Sequence, residues 1–476
     1  MIKKNIVIVG GGIAGLLSAL LFSKNREYNI HVVEKSDSLG GLQKSFDYGE
    51  FGRFDYGAHN ILETGIDELD DLLIGLLPYD KWQVSSAING QKRALTGLFY
   101  NGRLQENSPF IDIRDVDEEE LRGYIADFFI NLSLDEVDLS QDGICAYTHA
   151  KQLFGEKIAD KIISPTIKKL FGMDVKELNN MAMYLTPFVR ICLFEQDIMD
   201  ELVQTDKIAS RLSFTDQKKL PSEYLPPLKT FYPKEYGIYR VIDAIKERLD
   251  KAGVIFHINS EISEICYHDR IEKVFIDGEE IGNIEHFIFS AGLFPLAKLL
   301  DIDVSDLAFD KPPNTVITNI LIDKPLKVGD LSYFYCYDDG YKTFRVDNYI
   351  NYCNGAKRNG LYPVSIEMIL SDEDIQDIDT ITPLAIEELK SFGVLEEGCK
   401  IVFSKTEVLS YGFPLLSQKN VDSLNKMRGK IESLEIRNLI KIGILAEKNL
   451  FFEGEIKEDL FNKIDLIINH NKEKKA

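Results

Sequence analysis

Asn5-Ile6-Val7-Ile8-Val9-Gly10-Gly11-Gly12-Ile13-Ala14-Gly15, completed further on by Glu34, is the stretch that decides the fold. Gly10, Gly12 and Gly15 form a spaced-glycine turn, and such a turn is informative only in the right surroundings. Residues 6–9 are an apolar, β-branched run that reads as a buried parallel strand. Leu16, Leu17, Leu20 and Leu21 then repeat at helical spacing, and Ile30-His31-Val32-Val33 supplies a second strand ending on Glu34. Gly10 permits the tight turn, Gly12 lets a pyrophosphate approach the backbone, and Gly15 lets helix and strand pack closely. The helix start offers unpaired N–H groups and a positive dipole end to an anion. Glu34 stands where an acid accepts the hydroxyls of an adenosine ribose. Gly11, Ala14 and Lys35 are expected to line the same site. The reading is a dinucleotide site on a Rossmann-type α/β domain.

The residues after Glu34 narrow the choice of dinucleotide. Lys35-Ser36-Asp37-Ser38-Leu39-Gly40-Gly41 is followed by Phe54-Asp55-Tyr56-Gly57-Ala58-His59. A nicotinamide dehydrogenase has no use for a second glycine pair so soon after the ribose acid. The arrangement resembles the flavoprotein superfamily that holds the flavin amine oxidases, protoporphyrinogen oxidase, phytoene desaturases and UDP-galactopyranose mutase. That resemblance implies FAD as cofactor. It implies a glutathione-reductase-like FAD domain interleaved with an α+β substrate domain carrying an antiparallel sheet. It also implies that Gly40 and Gly41 pass the ribityl-pyrophosphate, with Gly57, Ala58 and His59 near the isoalloxazine.

The resemblance continues through Phe154-Gly155-Glu156-Lys157, Leu170-Phe171-Gly172-Met173 and Phe231-Tyr232-Pro233-Lys234. It includes Ser260-Glu261-Ile262, where relatives touch the adenine with main-chain atoms, and Phe287-Ile288-Phe289-Ser290-Ala291-Gly292. Near the carboxyl end, Ile440-Lys441-Ile442-Gly443 is similar to the flavin-contacting turn. Leu42 and Ile444 stand where the superfamily often has arginines on the FAD phosphates. Two phosphate cations are thus missing. Either FAD is held more loosely, or the helix dipole and backbone carry more of the binding.

Composition limits the remaining choices. A chain of 476 residues exceeds one simple core, so two interleaved domains are expected. Hydrophobic content of 45% and charged content of 28% are ordinary for a soluble globular protein. No run approaches the ~20 apolar residues that span a bilayer. Met1-Ile2-Lys3-Lys4 enters the first strand directly, so no secretory signal is expected. Cys145, Cys192, Cys266, Cys336, Cys353 and Cys399 show no paired spacing, which points to reduced thiols in a cytoplasmic protein without zinc or disulfides. A net charge of −22 repels nucleic acid, and the acidic runs at 67–71, 112–120 and 372–379 read as solvated faces. Lys472, Lys474 and Lys475 read as a frayed basic tail or a weak membrane-surface contact.

Five segments are expected. Residues 1–80, 229–300 and 405–476 build the FAD domain, the last including a closing amphipathic helix. Residues 81–228 form a mostly helical part of the substrate domain, and 301–404 its antiparallel sheet, with strands at 315–322, 332–337, 342–352 and 364–370.

Catalytic residues are harder to name, because flavin chemistry belongs largely to the cofactor. His59 is a candidate acid/base or flavin hydrogen-bond partner, with a packing histidine as the plain alternative. Arg345, in Phe344-Arg345-Val346, is a candidate anchor for an anionic substrate such as an acidic sugar, with a structural salt bridge as its alternative. Tyr335, Tyr337, Tyr349, Tyr352 and Tyr411 could line a pocket or simply pack, and Arg53 could reach phosphate or face solvent. No second glycine turn for NAD(P)H is evident. Reduced flavin would pass electrons to oxygen, to another carrier or back to the substrate.

The sequence thus supports an FAD-dependent oxidoreductase with a small-molecule substrate, a sugar or nucleotide-sugar of surface-polysaccharide synthesis, and no nucleic-acid partner. Alternatives are a mutase-like isomerase using reduced flavin, a protoporphyrinogen oxidase-like dehydrogenase, and a non-catalytic binder resembling Rab GDP-dissociation inhibitor.

Overall fold

The computed structural model describes residues 3–86, 94–134, 138, 143–185, 188–351, 353–410 and 412–473, with side chains to 469. Tyr352, Tyr411, Lys474 and Lys475 lie outside the described residues, as does the side chain of Lys472. The chain forms an α/β fold of two compact units. The first comprises Met1–Val84, Leu228–Phe309 and Asp422–Ala476, and the second Ser85–Pro227 and Asp310–Val421.

The first unit is built on a five-stranded sheet in the order Ile255–Ile258, Tyr28–Glu34, Lys4–Val9, Ile284–Phe289, Leu439–Lys441. All four pairings are parallel. A parallel sheet needs both faces covered, which is why its central strands read as continuous apolar runs. Ile6, Val7 and Ile8 are fully buried. One face meets the helix Ile13–Ser23, against which Tyr239–Ala252 and Glu453–Glu473 pack. On the other, Val7, Val9, Val33, Phe287 and Phe289 pack on the antiparallel strands Ile262–Tyr267 and Ile271–Ile276.

The second unit carries a mixed, mostly antiparallel seven-stranded sheet. Its order is Ile401–Leu409, Asn314–Ile322, Tyr362–Leu370, Thr343–Asn348, Leu331–Cys336, Leu95–Tyr100, Arg103–Gln105. One face is apolar, with Val316, Ile320, Val346, Ile366 and Met368 packed on Ile381, Ala385 and Leu389 of the helix Ile378–Ser391.

Several expectations are corrected here. Residues 95–105, expected within a helical stretch, form two strands, and Leu95–Tyr100 pairs parallel to Leu331–Cys336, so the sheet is not purely antiparallel. The strand expected at 342–352 ends at Asn348 and passes into a single 3₁₀ turn, Tyr349–Asn351. The expected start of the last FAD-domain segment at 405 falls within Ile401–Leu409, which pairs with Asn314–Ile322 as far as Leu409 opposite Thr315. Residues 405–421 therefore group with the second unit.

Candidate dinucleotide site

The site is made where three parallel strands end. Gly10 takes φ +104°, and its N–H donates to the Val33 carbonyl at 2.8 Å, fixing the turn to the neighbouring strand. A Cβ on Gly15 would fall 2.0 Å from the Gly10 carbonyl oxygen, so only glycine lets the helix start this close to its strand. Gly12 is the N-cap of Ile13–Ser23 and contributes no side-chain cap. The first N–H groups of that helix are left for a ligand, at its positive end. Ala14 lies buried in its first turn.

The second glycine pair abuts the first. Gly40 donates its N–H to the Gly11 carbonyl at 2.8 Å, and Gly12 and Gly40 form a β-bridge. Gly41 then opens a short 3₁₀ turn ending at Gln43. Gly443 closes the site from the carboxyl-terminal part. Ile442 donates its N–H to Phe289 O at 3.0 Å, and Gly443 sits against Ser290. Ser290 Oγ in turn donates to the Val9 carbonyl at 2.8 Å. Gly10, Gly11, Gly12, Gly15, Gly40, Gly41 and Gly443 are thus brought together.

Glu34 is held before any ligand arrives. Its Oε2 accepts the Gly11 N–H at 2.7 Å, and its Oε1 accepts the Ser36 N–H at 2.8 Å and the Ser36 hydroxyl. A carboxylate has about four lone-pair positions, so capacity for a ribose hydroxyl remains. Lys44 Nζ donates to Ser36 Oγ at 2.6 Å. Ser260 N–H and Asn259 N–H are spent on the Glu34 and Ser36 carbonyls, at 3.0 and 3.1 Å. Ile262 itself packs into the core beneath the sheet. Lys35 reaches Glu261 at 3.1 Å on the open surface, its side chain 84% exposed.

Behind Glu34, His31 and His257 stack with ring centroids 5.4 Å apart and a 3.1 Å Nδ1···Nε2 contact. Burial, and then the neighbouring His257, lowers the His31 pKa to about 4.

The Gly57-Ala58-His59 segment follows Asp55, which stands in the same motif of the sequence. Asp55 is fully buried, accepting the Tyr232 hydroxyl at 2.6 Å and the Ile238 N–H at 3.1 Å, just ahead of the helix Tyr239–Ala252. Its own N–H donates to Tyr236 Oη at 3.2 Å. Gly57 then turns at φ +102°, leaving Ala58 and His59 half-buried. Arg53 pairs with Asp47 at 3.1 Å and lies over the Tyr239 ring. Arg428 is a residue that the sequence reading missed. It is buried and donates to the carbonyls of Leu445 and Ala446 at 3.1 and 3.3 Å, bracing the turn that begins at Gly443. It also donates to Asn425 in its own helix at 2.8 Å, but no local pattern marks the two carbonyls beyond the helix end. Leu42 and Ile444 are 46% and 44% exposed.

Arg345 belongs to the second unit, on the face of the sheet opposite the apolar core. Its guanidinium holds both oxygens of the buried Glu367, at 2.7 and 2.9 Å, with Asp347 at 3.6 Å. This is the geometry of the salt-bridge alternative: Arg345 is paired with two carboxylates. Around it, Tyr349 Oη lies 3.0 Å from Ser365 Oγ, which donates to Asn319, and Tyr335 stacks on the fully buried Tyr337. Tyr337 and Tyr349 pack in the interior, and Tyr335 is half-buried. A cavity of about 850 Å³ in the same unit is lined by Lys169, Lys311 and Lys342. Lys311 and Lys342 are paired with Asp372 and Asp374, and Lys169 donates to the Cys336 and Thr343 carbonyls.

Residues 8–73 match the model of the NAD(P)-binding Rossmann-like domain, so this is a dinucleotide-binding Rossmann unit. No curated protein matches the chain by sequence. Solved structures match it over nearly its full length. A reduced UDP-galactopyranose mutase aligns with TM-score 0.76 at 16% identity, covering 98% of this chain and 94% of that one. An oxidoreductase from Methanosarcina mazei aligns with TM-score 0.60 at 13% identity, over 97% and 100%. A CLA-producing fatty acid isomerase from P. acnes gives 0.54 at 15% identity, over 98% of each chain. These likenesses establish the fold.

Proposed function

We propose that this chain is an FAD-dependent enzyme. The observation that carries the reading is the bridge between Gly12 and Gly40, extended by the Gly443 turn. Together they continue the cradle beyond the adenosine half that Glu34 serves. The residues fit the group: the helix start at Gly12 is uncapped, Gly41 leaves only backbone near the first turn, and Glu34 keeps acceptor capacity. In this reading Glu34 holds the adenosine ribose, the N–H groups after Gly12 hold the diphosphate, and the 57–59 and 443–446 turns flank the flavin ring. A bound flavin supplies two-electron exchange with the substrate. Asp55 and Arg428 position the two flanking turns, and His59 is the acid/base candidate.

For the substrate we favour a sugar or nucleotide-sugar of surface-polysaccharide synthesis. The support is the fold shared with a UDP-galactopyranose mutase. The same likeness favours a second reading, a redox-neutral isomerisation. A visible spectrum of the purified, FAD-reconstituted protein tests the cofactor, and a colourless protein that takes up no FAD overturns it. Incubation with nucleotide-sugars then separates the readings. Stoichiometric reduction of an added acceptor marks an oxidoreductase, and isomer formation under reducing conditions without acceptor turnover marks an isomerase.

A further inference from the structure

The closing helix Glu453–Glu473 carries a lysine where a helix packed on Ile13–Ser23 would be expected to present an apolar side chain. Lys457 is 1% exposed. Its Nζ lies 2.5 Å from Glu453 Oε1 in an i,i+4 ion pair and has no hydrogen-bond partner among the described residues, and Glu453 is itself 33% exposed. Lysine is almost never buried without full pairing, because an ammonium loses far more hydration than one partly solvated carboxylate returns.

The neighbours of this pair lead back to the glycine turns. Gln43, 3% exposed, donates Nε2 to the same Glu453 Oε1 at 3.2 Å, while its own Oε1 is buried without a hydrogen bond. Gln43 ends the turn that Gly40 begins, its N–H on the Gly40 carbonyl at 3.0 Å, and Gly40 is bridged to Gly12. Contact therefore runs without a gap from the buried ammonium to the N-cap of Ile13–Ser23.

We propose that Lys457 is the cation of the diphosphate subsite, held in reserve by Glu453 until a dinucleotide arrives. A diphosphate brings several strong acceptors with its negative charge, which is what an under-bonded ammonium lacks. The side chains at the flanking turns, Leu42 and Ile444, are aliphatic and offer phosphate nothing. Glu453 competes with the ligand for Lys457, so the two carboxylate contacts, to Gln43 and to Lys457, loosen as the diphosphate binds.

This inference rests on the dinucleotide reading, and the test separates the two. FAD, ADP and adenosine are titrated into apoprotein at several salt concentrations, for the parent, Lys457→Met and Glu453→Gln. Lys457→Met is expected to weaken FAD and ADP about tenfold, to flatten their salt dependence, and to leave adenosine unchanged. Glu453→Gln, which removes the competitor, is expected to tighten FAD severalfold, a gain that a purely structural ion pair would not give. Equal FAD and ADP binding by the parent and Lys457→Met overturns the assignment of Lys457 alone, as does an equal loss for adenosine. A parent that binds neither FAD nor ADP overturns the dinucleotide reading and this inference with it.

Discussion

Asp55 in the first unit and Glu367 in the second are both buried acids, and their surroundings differ in kind. Asp55 accepts from a backbone N–H and a tyrosine hydroxyl on a distant segment, tying two pieces of chain together. Glu367 accepts three bonds from the Arg345 guanidinium on the neighbouring strand. The same contrast holds more widely. The glycine cradle keeps backbone donors open at the start of a helix, whereas the polar face of the large sheet has its arginine already matched by carboxylates. The electrostatics available to an anionic ligand therefore reside in main-chain N–H groups and in the proposed cation Lys457, rather than in Arg345.

The largest effect should come from breaking the matched pair. Arg345→Met leaves Glu367 buried without its cation, and urea unfolding should show a loss of about 3–5 kcal/mol. The double variant Arg345→Met/Glu367→Met should recover only part of that loss, since the buried Asp347, 3.6 Å from the guanidinium, still loses its cation. A single variant as stable as the parent would show that the sheet face is wet and its arginine available, abolishing the contrast with the cradle.

Next in size is Glu34→Ala, which removes the acceptor for a ribose and for the Gly11 and Ser36 N–H groups. FAD binding followed by flavin fluorescence should weaken by about 1–3 kcal/mol. Unchanged affinity would mean that the backbone alone does the work of the cradle, sharpening the comparison further.

A smaller effect is expected from pH. His31, whose pKa falls to about 4 in the fold from 6.5, resists protonation that the unfolded chain accepts. Where the unfolded state binds more protons, stability rises with pH. Stability therefore falls as pH drops from 6.5 towards about 4, and this group has no effect above 6.5, where it is neutral in both states. After allowance for screening, the loss is on the order of 1–2 kcal/mol. Urea unfolding from neutral to mildly acidic pH, compared with His31→Phe, isolates it. Parallel curves for the two proteins would remove the histidine pair as the cause.

Legibility in the sequence depends on where each residue's partners lie. The turn at Gly10–Gly15 and its acid sit within one βαβ unit, so local spacing reveals the strands, the helix and the ligand chemistry together. The strands at 95–105 were hidden because they complete a sheet whose other members lie more than two hundred residues downstream. Arg428 escaped for the same reason, since a bracing arginine has no signature in the carbonyls it reaches, and Asp55, legible in its motif, gave no sign of its burial against Tyr232 and Ile238. Arg345 was visible as a sheet arginine, but sequence spacing does not tell a waiting anchor from a guanidinium paired across the strand. The Glu453–Lys457 pair reads as an ordinary exposed i,i+4 salt bridge, and only its burial distinguishes it.

The smallest expected effect is also the one that tests the cradle most closely. Ile444 is exposed on the turn beside Gly443, so an arginine there can be accommodated. In the parent, Ile444→Arg should tighten FAD by less than about 1 kcal/mol, because an exposed cation gains little over water and Lys457 already supplies charge. In the Lys457→Met background the same change should gain more, as the new guanidinium becomes the nearest replacement cation. The difference between the two gains is the coupling energy of a double-mutant cycle, measured by FAD titration at low salt and expected to shrink as salt rises. Equal gains in both backgrounds would mean that Lys457 and position 444 act on different parts of the ligand. A cradle that binds diphosphate through backbone donors alone would show no gain in either background, because added charge would then have no phosphate within reach.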